Sequence, residues 1–198
     1  KKDYRTALRE WKLAAEQGHA TAQYNLALMY RNGEGVPKND KLAAKWYRLA
    51  AKQGHAVAQF KLGLMYRNGE GVPKNDKLAV KWYRLAAEQG QVIAQLKLGM
   101  LYYKGEGIPK NDKMAVKWWK LAAEQGDVET QYGLGLMYRE GEGVPKNDKT
   151  AVKWWKLAAE QGSAKAQHNL AFMYRNGEGV LQNDIYAYMW FNIAVSQG

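Results

Sequence analysis

The sequence has no cysteine, which excludes disulfides, thiolate metal sites and thiol catalysis. Reducing and oxidising compartments both accept such a chain, so the absence does not fix a location. Histidine is scarce as well: His19, His55 and His168 are too few and too scattered to supply convergent metal ligands. No apolar run approaches the roughly 18 residues that a membrane-spanning helix needs. Proline occurs four times, always at the same point of a recurring block. Acidic residues are the minority charge, 19 against 30 Lys plus Arg, for a net charge of +11. That balance favours acidic partners or polyanions, and it bears on association rather than on fold. What is abundant is core material. Hydrophobic residues make up 46% and aromatics 12% of 198 residues, which excludes a disordered chain and suits one or two domains.

The chain repeats itself every 36 residues. GEGVPKND begins at Gly33, Gly69 and Gly141, GEGIPKND at Gly105, and GEGVLQND at Gly177. The units run 18–53, 54–89, 90–125, 126–161 and 162–197, and the first two differ at 6 of 36 positions. Residues 1–17 align with the second half of a preceding unit, as ALREWKLAAEQG against AAKWYRLAAKQG. With no linker or low-complexity stretch, residues 1–198 read as a single array.

Each unit predicts two helices. The first covers about Ala20 to Asn32 and ends at Gly33, a residue type that adopts the left-handed closing conformation without strain. A Gly- and Pro-punctuated loop follows. Asn39 and Asp40 then offer N-cap oxygens to a second helix, about Lys41 to Gln53. Such pairs cannot bury their apolar faces alone and must stack on their neighbours, so the period predicts an all-α solenoid.

The unit AQYNLALMYRNGEGVPKNDKLAAKWYRLAAKQG resembles the Sel-1-like repeat, a relative of the tetratricopeptide repeat. The marks are AQ-x-x-L-G/A-x-x-Y, then G-E-G-V-P, then A-x-x-W-Y/W-x-x-A-A-x-Q-G, recurring over nearly the whole chain. The resemblance implies a right-handed α-solenoid of 36-residue helix–turn–helix repeats. It also implies a bacterial, often exported scaffold or adaptor that binds proteins and carries no catalytic site or cofactor.

Comparing the units separates two kinds of position. Gln23, Leu26 and Tyr30 of the first helix and Ala43, Trp46 and Ala50 of the second recur in every unit, and they read as core. Position 27 stays small, alternating Ala and Gly. The variable positions 21, 24, 28 and 31 fall on one helical face. In tetratricopeptide-like solenoids, the resemblance places that face in the concave groove where ligands lie. The candidate partner-binding residues are therefore Tyr24, Leu28, Arg31, Phe60, Leu64, Arg67, Leu96, Met100, Tyr103, Tyr132, Leu136, Arg139, His168 and Arg175. Aromatic and aliphatic groups interleaved with Arg suit a peptide or protein surface, and the arginines suit an acidic one. The competing reading is that positions 24 and 28 are buried between repeats.

Lys41, Lys45, Arg48 and Lys52 form one polar face of a second helix, repeated at Lys77, Lys81 and Arg84. This reads as a solvated convex face, with binding of nucleic acid, anionic lipid or an acidic protein as the functional alternative. Nucleic acid is disfavoured, because each basic unit also carries a loop Glu and a cap Asp. A mechanical spacer is the remaining reading. Catalysis is not expected: the GEG loops lack the Lys-Ser/Thr and preceding strand of a phosphate loop, and the acids recur as caps and loop residues. The chain opens on Lys rather than Met, as a processed or trimmed form does, with no signal peptide present. The last unit replaces Pro with Leu181 and the lysines with Ile185 and Met189. That apolar end predicts either a covering helix further along the native chain or a dimer or partner contact.

Overall fold

The computed structural model describes residues 4–196. Lys1–Asp3 of the opening segment and Gln197 and Gly198 of the closing one lie outside the described residues. Among the described residues the secondary structure is eleven α-helices, each 13 residues long. They are α1 (Tyr4–Glu16), α2 (Ala20–Asn32), α3 (Asp40–Lys52), α4 (Ala56–Asn68), α5 (Asp76–Glu88) and α6 (Val92–Lys104). Then come α7 (Asp112–Glu124), α8 (Val128–Glu140), α9 (Asp148–Glu160), α10 (Ala164–Asn176) and α11 (Asp184–Ser196). Even-numbered helices are the first of each repeat, and odd-numbered helices the second. Consecutive helix pairs pack as an α-solenoid.

Local chemistry places these boundaries. Gly33 stands at φ 74°, and its N–H and that of Glu34 both bond to the Met29 carbonyl, closing α2. Asn39 donates its N–H to Tyr30 O at 2.7 Å, which folds the loop back, and its side chain accepts from Leu42 N at 3.0 Å. Asp40 is thus the first residue of α3, one position earlier than the sequence pattern suggests. The same cap recurs at Asn75, Asn111 and Asn147.

The chain divides into two compact units. The first contains α1 to α5, α6 as far as Leu101, and the loop Gly105–Pro109. Its centre is built from Leu26, Tyr47, Leu62, Met65 and Tyr83, with small alanines where helices approach. The second contains Tyr102–Lys104 and everything from Lys110 onward. Val116, Leu134, Trp154 and Met137 form one of its clusters, and Val152, Trp155, Leu170 and Met173 another.

Packing grades the core of the second helix. Ala43 and Ala50 are fully buried, and the recurrent Trp is buried at Trp118 and Trp154 but half-buried at Trp46 and Trp82. One residue on, Trp119 is half-buried, whereas Tyr47, Tyr83 and Trp155 are all within 3% of complete burial. Position 27 is small because of that ring. A Cβ on Gly63 would stand 2.8 Å from the Tyr83 ring, and one on Gly135 would enter the Trp155 indole. Trp155 uses its Nε1–H to reach Tyr132 O at 3.2 Å.

The recurrent glutamine is a polar staple between repeats. Gln23, Gln59, Gln95, Gln131 and Gln167 are buried, and each donates from Nε2 to an alanine carbonyl in the last turn of the preceding helix, at 3.0–3.2 Å. Gln53, Gln89 and Gln161 donate in turn to Gln23, Gln59 and Gln131. At Gln23, Gln59 and Gln131 the buried amide is tolerated because it both donates and accepts, whereas Gln167 Oε1 has no partner among the described residues.

At the other end, Leu181 of the last loop and Ile185, Tyr188 and Val195 of α11 are exposed, Ile185 at 82% and Tyr188 at 71%. No helix among the described residues is long and apolar enough to cross a membrane.

Candidate functional site

The first-helix face carries the candidate residues, and the structure sorts them. In the first unit, Phe60 is buried against the Tyr83 ring, centroids 5.7 Å apart, so it is core and not a contact residue. Tyr24 is half-buried, tilted on Tyr47 and stacked on His55 at 4.8 Å. His55 is also the cap of α4, its Nδ1 accepting from Ala58 N at 3.2 Å. Leu28, Leu64, Leu96 and Met100 are half-buried.

The arginine row does not present free cations, contrary to the sequence expectation. Arg31 Nη2 lies 2.9 Å from Glu70 Oε2, Arg67 pairs with Glu106, and Arg139 Nη1 lies 2.5 Å from Glu178 Oε2. Each partner is the Glu of the next repeat's GEG loop. Tyr103 occupies the same place, its hydroxyl donating to Glu142 at 3.3 Å, and its ring lies 5.6 Å from Trp119. Burial and the carboxylate act oppositely on Arg67, and the Glu106 carboxylate prevails, raising the guanidinium above its ordinary range. Arg175 is exposed and has no ion pair among the described residues.

The second Gly of the same loop completes the joint. Gly71 has φ 65°, and a Cβ there would fall on the Asp40 carbonyl of the preceding repeat. Gly107, Gly143 and Gly179 meet Asp76, Asp112 and Asp148 in the same way. The GEG motif thus has three roles: a helix stop, a carboxylate for the previous repeat's Arg, and a close backbone approach.

The second unit holds the open part of the face. Tyr132, Lys165, His168, Asn169, Phe191 and Val195 line a hollow of about 420 Å³ between α8, α10 and α11. A second hollow of about 270 Å³ shares His168 and Asn169 and is walled by Leu136, Arg139, Trp155 and Phe172. His168 and Leu136 are exposed, and Phe172 is 44% exposed under the Arg139 guanidinium, 6.0 Å from its ring. His168 packs edge-on against Phe191, centroids 5.4 Å apart. The structure therefore brings Tyr132, Leu136, Arg139 and His168 of the predicted set together. Lys165 and Phe172 occupy the stripe positions 21 and 28 and line the hollows although the candidate set omits them, and Asn169 lines them from outside the stripe. Phe191 and Trp155 lie on second helices and carry no stripe signal.

These joints and hollows sit on a repeat whose family is known. The Sel1 repeat family model matches residues 1–19, 20–55, 56–91, 92–127, 128–163 and 164–198. The chain is a Sel1 repeat protein. Its family repeats begin at the first helix, two residues after the units read from the sequence. Among solved structures it is similar to a protective antigen of uropathogenic Escherichia coli with an SLR fold: 40% identity, TM-score 0.86, covering 96% of this chain and 40% of that one. It is also similar to a Sel1 repeat protein from Oxalobacter formigenes, at 37% identity and TM-score 0.84, covering 98% of this chain and 85% of that one. A Helicobacter pylori cysteine-rich protein B is 25% identical with TM-score 0.52, over 65% of this chain and 92% of that one. The chain thus spans less than half the length of the Escherichia coli antigen. No curated protein matches it. Sel1 repeat proteins generally mediate protein–protein interaction and are typically non-catalytic scaffolds.

Proposed function

We propose that this Sel1 repeat protein is a non-catalytic scaffold that holds a peptide or protein segment on the face formed by the first helices of its repeats. The observation that carries this reading is the pair of hollows between α8 and α10, lined mainly by aromatic and aliphatic groups with cations at their rims. Large apolar side chains that remain open in a folded protein are what interface cores are made of. Arg31, Arg67 and Arg139 contribute the shape of the face more than charge, since their charge is matched within the array.

The test places a photo-crosslinking residue at Leu136 or His168, and in control proteins at Lys149 or Lys153 on α9. Under native conditions, adducts from the first pair and none from the second support the reading. Adducts from the α9 positions alone would move function to the basic second-helix faces.

That second reading has its own observation. Lys41, Lys45, Lys52, Lys77 and Lys81 are exposed, and no ion pair among the described residues holds them. An anionic partner bound there gives a steep linear fall of log affinity with log salt, whereas apolar anchors give a shallow one.

A further inference from the structure

We propose that the two hollows flanking His168 take an extended peptide carrying two large apolar side chains two residues apart, with an acidic residue beside the one that enters the Lys165 hollow. The inference rests on the first-helix face being the binding surface, and it names what that face recognises.

Three observations lead to this ligand. The hollows are neighbours, sharing His168 and Asn169 as a common wall. In an extended chain, side chains i and i+2 point the same way and stand about 7 Å apart, so alternate side chains can enter two neighbouring hollows that share one wall. Both hollows are shallow and open, so a compact small molecule would leave much of its surface in water, whereas a strand lying across them covers both.

Charge then orders the peptide. Lys165 is exposed, has no ion pair among the described residues, and is the one charged residue lining the larger hollow. Glu129, at the matching position of α8, does not line it. This hollow calls for a carboxylate next to an apolar group. The smaller hollow is different: Arg139 is held by Glu178, and Glu140 also stands at the rim. With its cation matched, it takes a neutral side chain against Leu136, Phe172 and Trp155. Asn169, between the two, makes no side-chain hydrogen bond among the described residues, and its amide can donate to a peptide carbonyl and accept from a peptide N–H.

The experiment pans a random dodecapeptide display library on the full chain, then measures the selected peptides against Lys165→Glu, Phe172→Ala and Lys153→Glu. Lys165, Phe172 and Lys153 are exposed, so unchanged melting temperatures confirm intact folds. The expected result is convergence on two large apolar residues separated by one, with Asp or Glu adjacent. Binding should fall about tenfold or more with Phe172→Ala, as for a contact worth about 1.4 kcal/mol. Lys165→Glu should abolish the acidic preference and keep the apolar spacing, and Lys153→Glu should change nothing. Convergence on another spacing, or an acid preference indifferent to Lys165, would overturn this inference while leaving the first-helix face in place. Peptides lost only with Lys153→Glu, or no enrichment at all, would count against both.

Discussion

Arg31 and Glu70 lie 39 residues apart in the chain and 2.9 Å apart in space, joining the last turn of α2 to the loop after α4. The bond couples one repeat to the next, and Arg67–Glu106 and Arg139–Glu178 repeat it. Their side chains are 22–37% exposed, so solvent screens each pair to about 0.5–1 kcal/mol. Reversing Arg31, Arg67 or Arg139 to Glu puts two carboxylates together and should lower the melting temperature. Arg175→Glu should not. A chain with both Arg31→Glu and Glu70→Arg should recover most of the loss, and a double-mutant cycle by denaturant titration measures the coupling.

Two glycines on one helix predict opposite outcomes. Gly135→Ala drives a methyl into the Trp155 ring and should cost about 1–3 kcal/mol. Gly133→Ala meets nothing within 4 Å and should stabilise the chain by about 0.5–1 kcal/mol, because a helical glycine forfeits that much to backbone entropy. Thermal unfolding of the two variants beside the parent decides both.

The buried glutamines give a third case. Gln59 donates to Ala51 O at 3.1 Å and accepts from Gln89 at 2.7 Å. Gln59→Leu keeps the volume but removes one of the two bonds at the Ala51 carbonyl, which keeps that from Gly54 N, and one from the exposed Gln89 amide, which keeps that to Leu85 O, for an expected loss of about 0.5–1.5 kcal/mol. Urea titration should show a lowered midpoint with an unchanged slope.

The buried tyrosines predict a loss of stability at alkaline pH. Burial pushes the Tyr83 phenol up from 10.0 to about 12, with the Arg67 charge opposing the shift, and burial raises Tyr47 further still. The folded state therefore holds its proton more tightly than the unfolded chain does. This contribution is complete below pH 10 and is lost as pH rises from 10 to 12. Melting temperature measured from pH 9 to 12 should fall less steeply for Tyr83→Phe than for the parent. Parallel curves would remove Tyr83 from the account.

Much of the fold was legible because its signals are local. Gly33 stops α2 at Asn32, where the pattern placed it, and Asn39 starts α3. The recurrent Gln23 and Leu26 are core as expected, though nothing in the sequence names the Ala15 carbonyl as the glutamine's partner. Position 47 escaped notice because it varies among Tyr, Trp and Phe, and its conformity shows only against the small residue at position 27. The pairing of the arginine row was hidden for the same kind of reason. A variable-looking stripe of cations reads as free, and only the returning loop supplies Glu70, Glu106 and Glu178.

The sequence by itself determined the 36-residue period, the helix pair within it, the caps, and hence a Sel1 repeat solenoid. Those features rest on hydrogen bonds and steric limits acting within a few residues. Tertiary structure decided which groups of the first-helix face were already used and which stayed open. It buried Phe60, matched three arginines with glutamates, and left His168, Lys165 and Phe172 around two hollows. The physical reason is that exposure and charge balance at one position depend on the neighbouring repeat, some 36 residues away, whose approach no local pattern records.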